Sequence, residues 1–162
     1  MKKYIKRILI VLLVILIIVI GYRTYRYFVN TVNDVKFSRI IDGDSFYLYL
    51  NGKEIECRLI GIDTPEVNKS EDYAKEAKYF TQDLLSKANK IKVEYDDNTN
   101  HEDNYGRHLV YVFVDDKLLQ SEILKQGYGK VAYVYANYKY LNEMKRAEIY
   151  ARDNALNVWK SK

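Results

Sequence analysis

Three short segments of the sequence contain residues suited to metal and phosphate chemistry. They are residues 42–44 (DGD), 58–66 (RLIGIDTPE) and 103–107 (DNYGR). The carboxylates of Asp44 and Asp63, with the backbone carbonyl of Thr64, are hard oxygen ligands of the kind that Ca²⁺ prefers. No cluster of Cys and His in the sequence competes for a softer metal. The pattern therefore favours a calcium site, provided that folding brings the segments together.

Each segment taken alone also has an ordinary structural interpretation. Asp-Gly between two strand-like runs is typical of a tight turn, and residues 63–66 resemble the start of a helix with Thr and Pro near its N-terminus. Arg58 could be a surface arginine on a strand, and Tyr105-Gly106-Arg107 a turn that leads into the next strand. Alternation along a strand predicted over 53–62 places Arg58 on one face, with carboxylates just beyond the strand's end.

The charge distribution gives no support for general affinity to a polyanion. The chain has 26 basic and 22 acidic residues, and residues 1–32 hold six of the basic residues and no acid. The remainder has 20 basic against 22 acidic residues, a net charge of −2. Binding of phosphate must therefore come from local arginines. The single cysteine, Cys57, excludes an intrachain disulfide, and its alternating apolar surroundings indicate a buried thiol.

Hydrophobic periodicity predicts a small α+β domain. Strands are predicted over 35–41, 45–50, 53–62, 90–95 and 107–114, with a two-residue hairpin turn at Asn51-Gly52. Helices are predicted over 72–88, over 118–126 with a stop at Gly127, and over 138–154. Five short strands with a helix after the third indicate an OB-type five-stranded β-barrel with three packed helices.

An aliphatic run precedes this domain. Residues 8–20 are uninterrupted Ile, Leu and Val, flanked by basic residues on both sides. With interfacial flanks, residues 8–22 form a short but feasible membrane span. A cleavable signal peptide is the alternative, although aromatic and basic residues stand where a small-residue cleavage site would be. We predict an anchor with linker over 1–32 and the domain over 33–162, facing outward from the cell membrane, or secreted if the anchor is cleaved.

The order and spacing of several motifs resemble the staphylococcal nuclease (thermonuclease) family over nearly all of residues 35–159. The motifs are IIDGDSFYL, CRLIGIDTPE, AKYF, DNYGRHLVYVFVDDK, ILKQGYGKVAYVY and the late Trp159. Their combination is far more specific than any one of them. The resemblance implies the barrel fold, a Ca²⁺ cofactor, a DNA or RNA substrate and a monomeric domain.

The family's residue roles carry over to matching positions. Asp44, Asp63 and the Thr64 carbonyl would bind one Ca²⁺, and Glu66 would be the general base. Arg58 and Arg107 would contact the scissile phosphate, and the reaction would be sugar-nonspecific hydrolysis that leaves 3′-phosphate ends. The positions that line the family's nucleotide pocket are occupied by Tyr105, Tyr133 and Tyr135.

One segment and two single positions depart from the family's pattern. The segment after Glu66, residues 67–73, is shorter and less basic, Asn104 replaces a lysine, and Ser45 replaces a threonine. The first two changes predict weaker ground-state binding of nucleic acid. The competing hypothesis is a non-catalytic OB-type module that binds nucleic acid or a protein at the membrane. Such modules usually lose carboxylates or arginines of the catalytic set, and this chain retains all of them.

Overall fold

A long helix, α1 (Lys2–Asn30), contains the aliphatic run. The computed structural model describes residues 2–32 and 35–160, so Asn33, the first residue of the predicted domain, lies outside them. The chain divides into two compact units, one up to residue 31 and one from residue 32. Within α1, Tyr4–Arg26 is long and apolar enough to cross a membrane, a test that a signal sequence also passes. The apolar side chains of residues 8–20 are all exposed.

The second unit is built around a sheet of short strands. These are β1 (Thr31–Val32), β2 (Val35–Ile40), β3 (Ser45–Leu50), β4 (Lys53–Leu59), β5 (Ile62–Asp63), β6 (Ile91–Glu94), β7 (His108–Val114), β8 (Lys117–Leu118) and β9 (Lys130–Val131). Five of them lie side by side in the order β6-β7-β4-β3-β2, with β8 paired to β7. The two-residue strands β5 and β9 form a separate antiparallel pair.

The pairing of β3 with β4 confirms the predicted hairpin. Leu50 pairs with Lys53 across the turn, and Asn51 and Gly52 both have positive φ, at 50° and 81°. This is the backbone twist that matches a two-residue hairpin. In contrast, β4 and β7 run parallel, with Arg58 opposite Leu109. The sheet wraps far enough for β2 and β6 to approach each other, and its combination with helices agrees with the predicted α+β fold class.

Strand β4 ends at Leu59, earlier than the predicted end at residue 62. Ile60 and Gly61 form a turn, and Gly61 has φ +79°, a conformation that favours glycine. Leu59, Ile60 and Ile62 are all buried, so the apolar run continues through the turn without a change in pattern. Hydrophobic patterning alone therefore could not show where the strand ends.

Three helices pack around the sheet. They are α2 (Ala74–Lys87), α3 (Leu119–Lys125) and α4 (Leu141–Asp153), with short 3₁₀ turns at Val67–Lys69 and Asn157–Trp159. One core unites the sheet with these helices through fully buried side chains such as Phe46, Leu59, Leu85, Ile123 and Met144. This shared core fixes how the strand ends that carry the polar segments lie relative to one another.

Candidate active site

The turn before β3 places Asp44 at the start of the strand. The amides of Ile41 and Asp42 both donate to the Ser45 carbonyl at 3.0 Å, and the Asp44 amide donates to the Asp42 carboxylate at 3.2 Å. Ser45 pairs with Arg58 across the β3–β4 ladder. Asp44 immediately precedes Ser45, and its carbonyl accepts the Leu59 amide at 2.9 Å, so the same ladder brings Asp44 beside Arg58 although the two are distant in sequence.

Arg58 connects the two acidic segments. Its Nη2 atom lies 3.2 Å from Oδ2 of Asp44 and 3.1 Å from Oδ1 of Asp63. Its Nη1 atom donates to the Leu59 carbonyl at 2.8 Å. Oδ2 of Asp44 also accepts the Thr64 amide at 2.7 Å, and Oδ1 accepts the Ser45 hydroxyl at 3.0 Å. Two carboxylates from separate segments thus share one guanidinium group.

Burial makes these carboxylates unusually easy to protonate. The side chain of Asp44 is buried, and burial raises its pKa to about 7, although the Arg58 charge acts in the opposite direction. Burial also raises the pKa of Asp63, again opposed by Arg58. One guanidinium therefore does not fully compensate the two negative charges, and a further cation beside them would be stabilised.

Helix α2 holds the Asp44 turn against Thr64. The buried Thr81 hydroxyl donates to the Gly43 carbonyl at 2.7 Å. A side-chain carbon at Gly43 would lie 2.8 Å from Oγ1 of Thr64 and 3.0 Å from Cβ of Ala77. Gly43 is thus required for this close approach as well as for a turn, and the helix predicted from periodicity helps to position the site.

Glu66 lies at the start of the 3₁₀ turn that follows Pro65. Its amide donates to the Glu71 carboxylate at 2.8 Å, and its own carboxylate pairs with Lys69 at 3.0 Å. The Glu66 side chain is partly exposed. The segment predicted to resemble the start of a helix is therefore a short turn, closed on itself by Glu71.

Arg107 lies immediately before β7, the strand parallel to β4. Its guanidinium pairs with Asp103 through Nε and Nη2, both at 2.8 Å from Oδ2. The amides of Tyr105 and Arg107 donate to the other oxygen of Asp103 at 2.9 and 3.0 Å. Burial alone would raise the pKa of Asp103, but these contacts with Arg107 and Tyr105 outweigh it and lower the pKa. Asp103 therefore fixes the segment that carries both residues.

The strand register relates Arg107 to Arg58. Leu109 is the partner of Arg58, and alternate residues of a strand share a face. Arg107 lies two residues before Leu109, just ahead of the strand that neighbours β4. Arg107 makes its ion pair with Asp103, whereas Arg58 pairs with Asp44 and Asp63.

Two exposed tyrosines each lie near one of the arginines, and a third lies beside one of these tyrosines. The ring of Tyr133 lies 5.9 Å from the Arg58 guanidinium, and that of Tyr105 lies 5.6 Å from the Arg107 guanidinium. The centroids of Tyr133 and Tyr135 are 6.5 Å apart. Tyr105 is 86% exposed and Tyr135 83%, so these rings are free to stack on a planar ligand.

A cleft of about 690 Å³ opens beside the acidic segment. Its walls come from Asp63, Thr64, Pro65, Glu71, Asp72, Tyr73, Glu76, Gly129, Lys130, Asn157, Val158 and Lys160. Of the predicted site residues, it includes only Asp63 and Thr64. Arg58, Arg107 and the three predicted tyrosines are not among its lining residues.

Four of the nine predicted site residues come together, and some positioning residues were missed. Ion pairs and hydrogen bonds directly join Asp44, Arg58, Asp63 and Thr64. The sequence analysis assigned no role to Asp103. Its carboxylate accepts the amides two and four residues later, a pattern typical of aspartates in turns, so its positioning role was predictable. The bond from Glu71 to the Glu66 backbone has no comparable sequence signal.

Comparison with known proteins decides the family. A model of the family described as "Staphylococcal nuclease homologue" matches residues 56–161, more than half of the chain. The chain belongs to the staphylococcal nuclease family. The matched residues include eight of the nine predicted site residues, and the ninth, Asp44, precedes them but contacts Arg58 directly. The resemblance found in the sequence is thus confirmed.

Several curated relatives within the staphylococcal nuclease family carry nuclease names. The chain is 37% identical to "SPbeta prophage-derived endonuclease YokF" of Bacillus subtilis (strain 168) over 131 residues, which cover 78% of this chain and 44% of the relative. It is 36% identical to "Endonuclease YncB" of the same organism, covering 78% and 61%. It is 34% identical to "Thermonuclease" of Staphylococcus hyicus, covering 76% and 74%. The chain therefore spans about half the length of the two Bacillus relatives.

Proposed function

We propose that this protein is a calcium-dependent, sugar-nonspecific nuclease that hydrolyses phosphodiester bonds of DNA or RNA and leaves 3′-phosphate ends. The observation that carries the proposal is the contact of one Arg58 nitrogen with two carboxylates from separate segments, at 3.2 and 3.1 Å. An acidic pair beside arginines is suited to a cation and a phosphate. The names of the relatives, endonuclease and thermonuclease, support the same activity.

The donor set fits calcium. Asp44 and Asp63 would supply carboxylate oxygens and Thr64 its backbone carbonyl. Among the described residues, no group of three or more His, Cys, Asp and Glu side chains is placed to hold a metal. Water would therefore complete the coordination, which Ca²⁺ accepts because it takes mixed oxygen ligands in flexible geometry. When bound, Ca²⁺ supplies Lewis-acid polarisation of the phosphate and orients water.

The arginines would stabilise the charge that shifts onto the phosphate during hydrolysis. Two of the five N–H donors of Arg58 are hydrogen-bonded, to Asp63 and to the Leu59 carbonyl, which leaves donors for a phosphate oxygen. Asp103 holds the Arg107 guanidinium just before β7, the strand next to β4. Preorganised guanidinium groups of this kind stabilise a transition state because they need little reorganisation.

Glu66 would accept the proton of the attacking water. Its carboxylate is partly exposed at the end of the segment that carries Asp63 and Thr64, and its backbone is held by Glu71. Tyr105, Tyr133 and Tyr135 would stack on bases without regard to sequence, which suits a nuclease that accepts DNA and RNA. We further propose a monomeric domain over 33–162, held at the outer face of the cell membrane by 1–32.

The decisive experiment measures release of acid-soluble nucleotides from single-stranded DNA by the full chain in detergent micelles. Activity is expected with Ca²⁺ and not with EGTA, and products are expected to accept polymerase extension only after removal of a 3′-phosphate. Asp63→Asn should raise the calcium concentration for half-maximal activity, because one anionic ligand is lost. Asp83→Asn, which alters an exposed aspartate paired with Lys87, is the matched control. Activity in EGTA, or no activity with calcium, sinks the proposal.

A further inference from the structure

Tyr138 is a buried tyrosine whose hydroxyl reaches the backbone of the loop that carries two of the exposed tyrosines. It is 5% exposed. Its hydroxyl donates to the Tyr133 carbonyl at 3.1 Å and accepts from the Tyr135 amide at 3.5 Å. One side chain therefore holds the loop backbone at both residues whose rings face solvent.

The ring of Tyr138 also contacts the acidic segment. A side-chain carbon at Gly61 would lie 3.4 Å from Cδ2 of Tyr138, so the ring packs against the Gly61 backbone. Gly61 lies between Arg58 and Asp63, and its carbonyl accepts the Ala132 amide at 3.1 Å. Tyr138 thus touches both the segment that holds the phosphate-binding and acidic residues and the loop that holds the rings.

The backbone of this loop requires hydrogen bonds from its surroundings to keep its conformation. Tyr133 has φ +54°, a conformation that costs energy in a bulky residue and persists only where the surroundings enforce it. The rings of Tyr133 and Tyr135 project outward and make little packing contact of their own. The hydrogen bonds from Tyr138 therefore hold the strained backbone and set the distance from the rings to Arg58.

We infer that Tyr138 is a positioning residue for base recognition. It places the Tyr133 and Tyr135 rings so that a base can stack on them while its phosphate lies at Arg58. The inference rests on the proposed nuclease function. Tyr138 does not touch the phosphate, so it governs binding of the base and not the chemistry at phosphorus.

The test is Tyr138→Phe, which removes the hydroxyl and keeps the ring against Gly61. KM and kcat of the full chain in detergent micelles are measured on two oligonucleotides with one cleavable bond. One carries thymine on both sides of that bond and the other carries abasic sugars. We expect KM for the thymine substrate to rise about five- to tenfold, the scale of one lost buried hydrogen bond. The kcat values and the abasic KM should change less than about twofold.

The matched control is Tyr140→Phe, the same chemical change two residues later. The Tyr140 hydroxyl donates to Glu94 at 3.1 Å, and within the described part of the chain it is not bonded to Tyr133 or Tyr135. The Tyr140→Phe variant should have a lower melting temperature, but the ratio of its KM values for the two substrates should be unchanged. A merely structural role for Tyr138 would raise both KM values together or neither, and either result overturns the inference.

Two further outcomes are separable. If Tyr138→Phe unfolds below the assay temperature, Asn98→Ala takes its place, because it removes an exposed hydrogen bond of 2.9 Å to the Asn137 carbonyl of the same loop. A rise in KM confined to the thymine substrate then supports the positioning of the rings by the loop backbone, and any other result contradicts it. A wild-type chain that cleaves neither oligonucleotide overturns the nuclease proposal and this inference with it.

Discussion

Arg58 is the residue that joins the two acidic segments, because its one guanidinium contacts both carboxylates. Its guanidinium is almost buried and spans the oxygens of Asp44 and Asp63. A planar group with five donors can do this and still face a phosphate, whereas an ammonium is a single point charge on a flexible stem. The chemistry of the site therefore requires the fork-shaped cation and not only a positive charge.

At this scale we predict the effect of Arg58→Lys. The charge is retained, so the fold should persist, but the geometry of phosphate contact is lost and kcat should fall by about 10² or more. Nuclease assays and thermal unfolding measure the two effects. Arg39→Lys is the control, since Arg39 lies on β2 beside Tyr47 and Glu54 and should tolerate the change. Equal activity of the two variants would refute the role of Arg58.

At the scale of elements, the end of α3 shows how a local signal serves a distant contact. Gly127 has φ +73°, and its amide and that of Tyr128 donate to the carbonyls of Leu124 and Ile123. This is a glycine-dependent helix end. The Gly127 carbonyl also accepts the Val158 amide at 3.0 Å, so the same residue receives the C-terminal 3₁₀ turn.

We therefore predict that Gly127→Ala destabilises the fold by more than backbone strain alone. A side-chain carbon there would lie 2.4 Å from the Leu156 carbonyl oxygen, so the backbone must move as well as adopt a disfavoured φ. Chemical unfolding should show a loss of about 2–4 kcal/mol. Gly52→Ala, with φ +81° and open space around it, should lose only about 1 kcal/mol. Similar losses in both variants would show that the close approach does not matter.

At the scale of the whole molecule, the excess of basic residues and the exposed aliphatic run both lie in the N-terminal unit. The basic surplus lies in residues 1–32, whereas the remainder is slightly acidic. If the proposed arginines bind phosphate, they do so without a general positive field, and we expect the salt dependence of substrate binding to be shallow. The apolar side chains of α1 are exposed along residues 8–20.

This division predicts the behaviour of the chain in cells. An uncleaved anchor should keep the protein in the membrane fraction after washing at alkaline pH, and the intact mass should include the first 32 residues. Removal of about thirty residues, with the remainder outside the cell, would instead identify a signal peptide. Protein of full mass in the soluble fraction would contradict both.

Sequence alone determined the features that depend on neighbouring residues. Each of these features is a local pattern and was therefore predictable: the Asn51-Gly52 turn, the helix end at Gly127, the aliphatic run and the ordered motifs of the family. Only the tertiary structure decided which residues meet. It placed Asp44 beside Arg58 through the β3–β4 ladder and set β7, which begins just after Arg107, parallel to β4. It also ended β4 at Leu59 and bonded the Tyr138 hydroxyl to the Tyr133 carbonyl. Periodicity reports which face of a strand or helix is buried, whereas pairing between distant strands follows from how they all pack on one shared core.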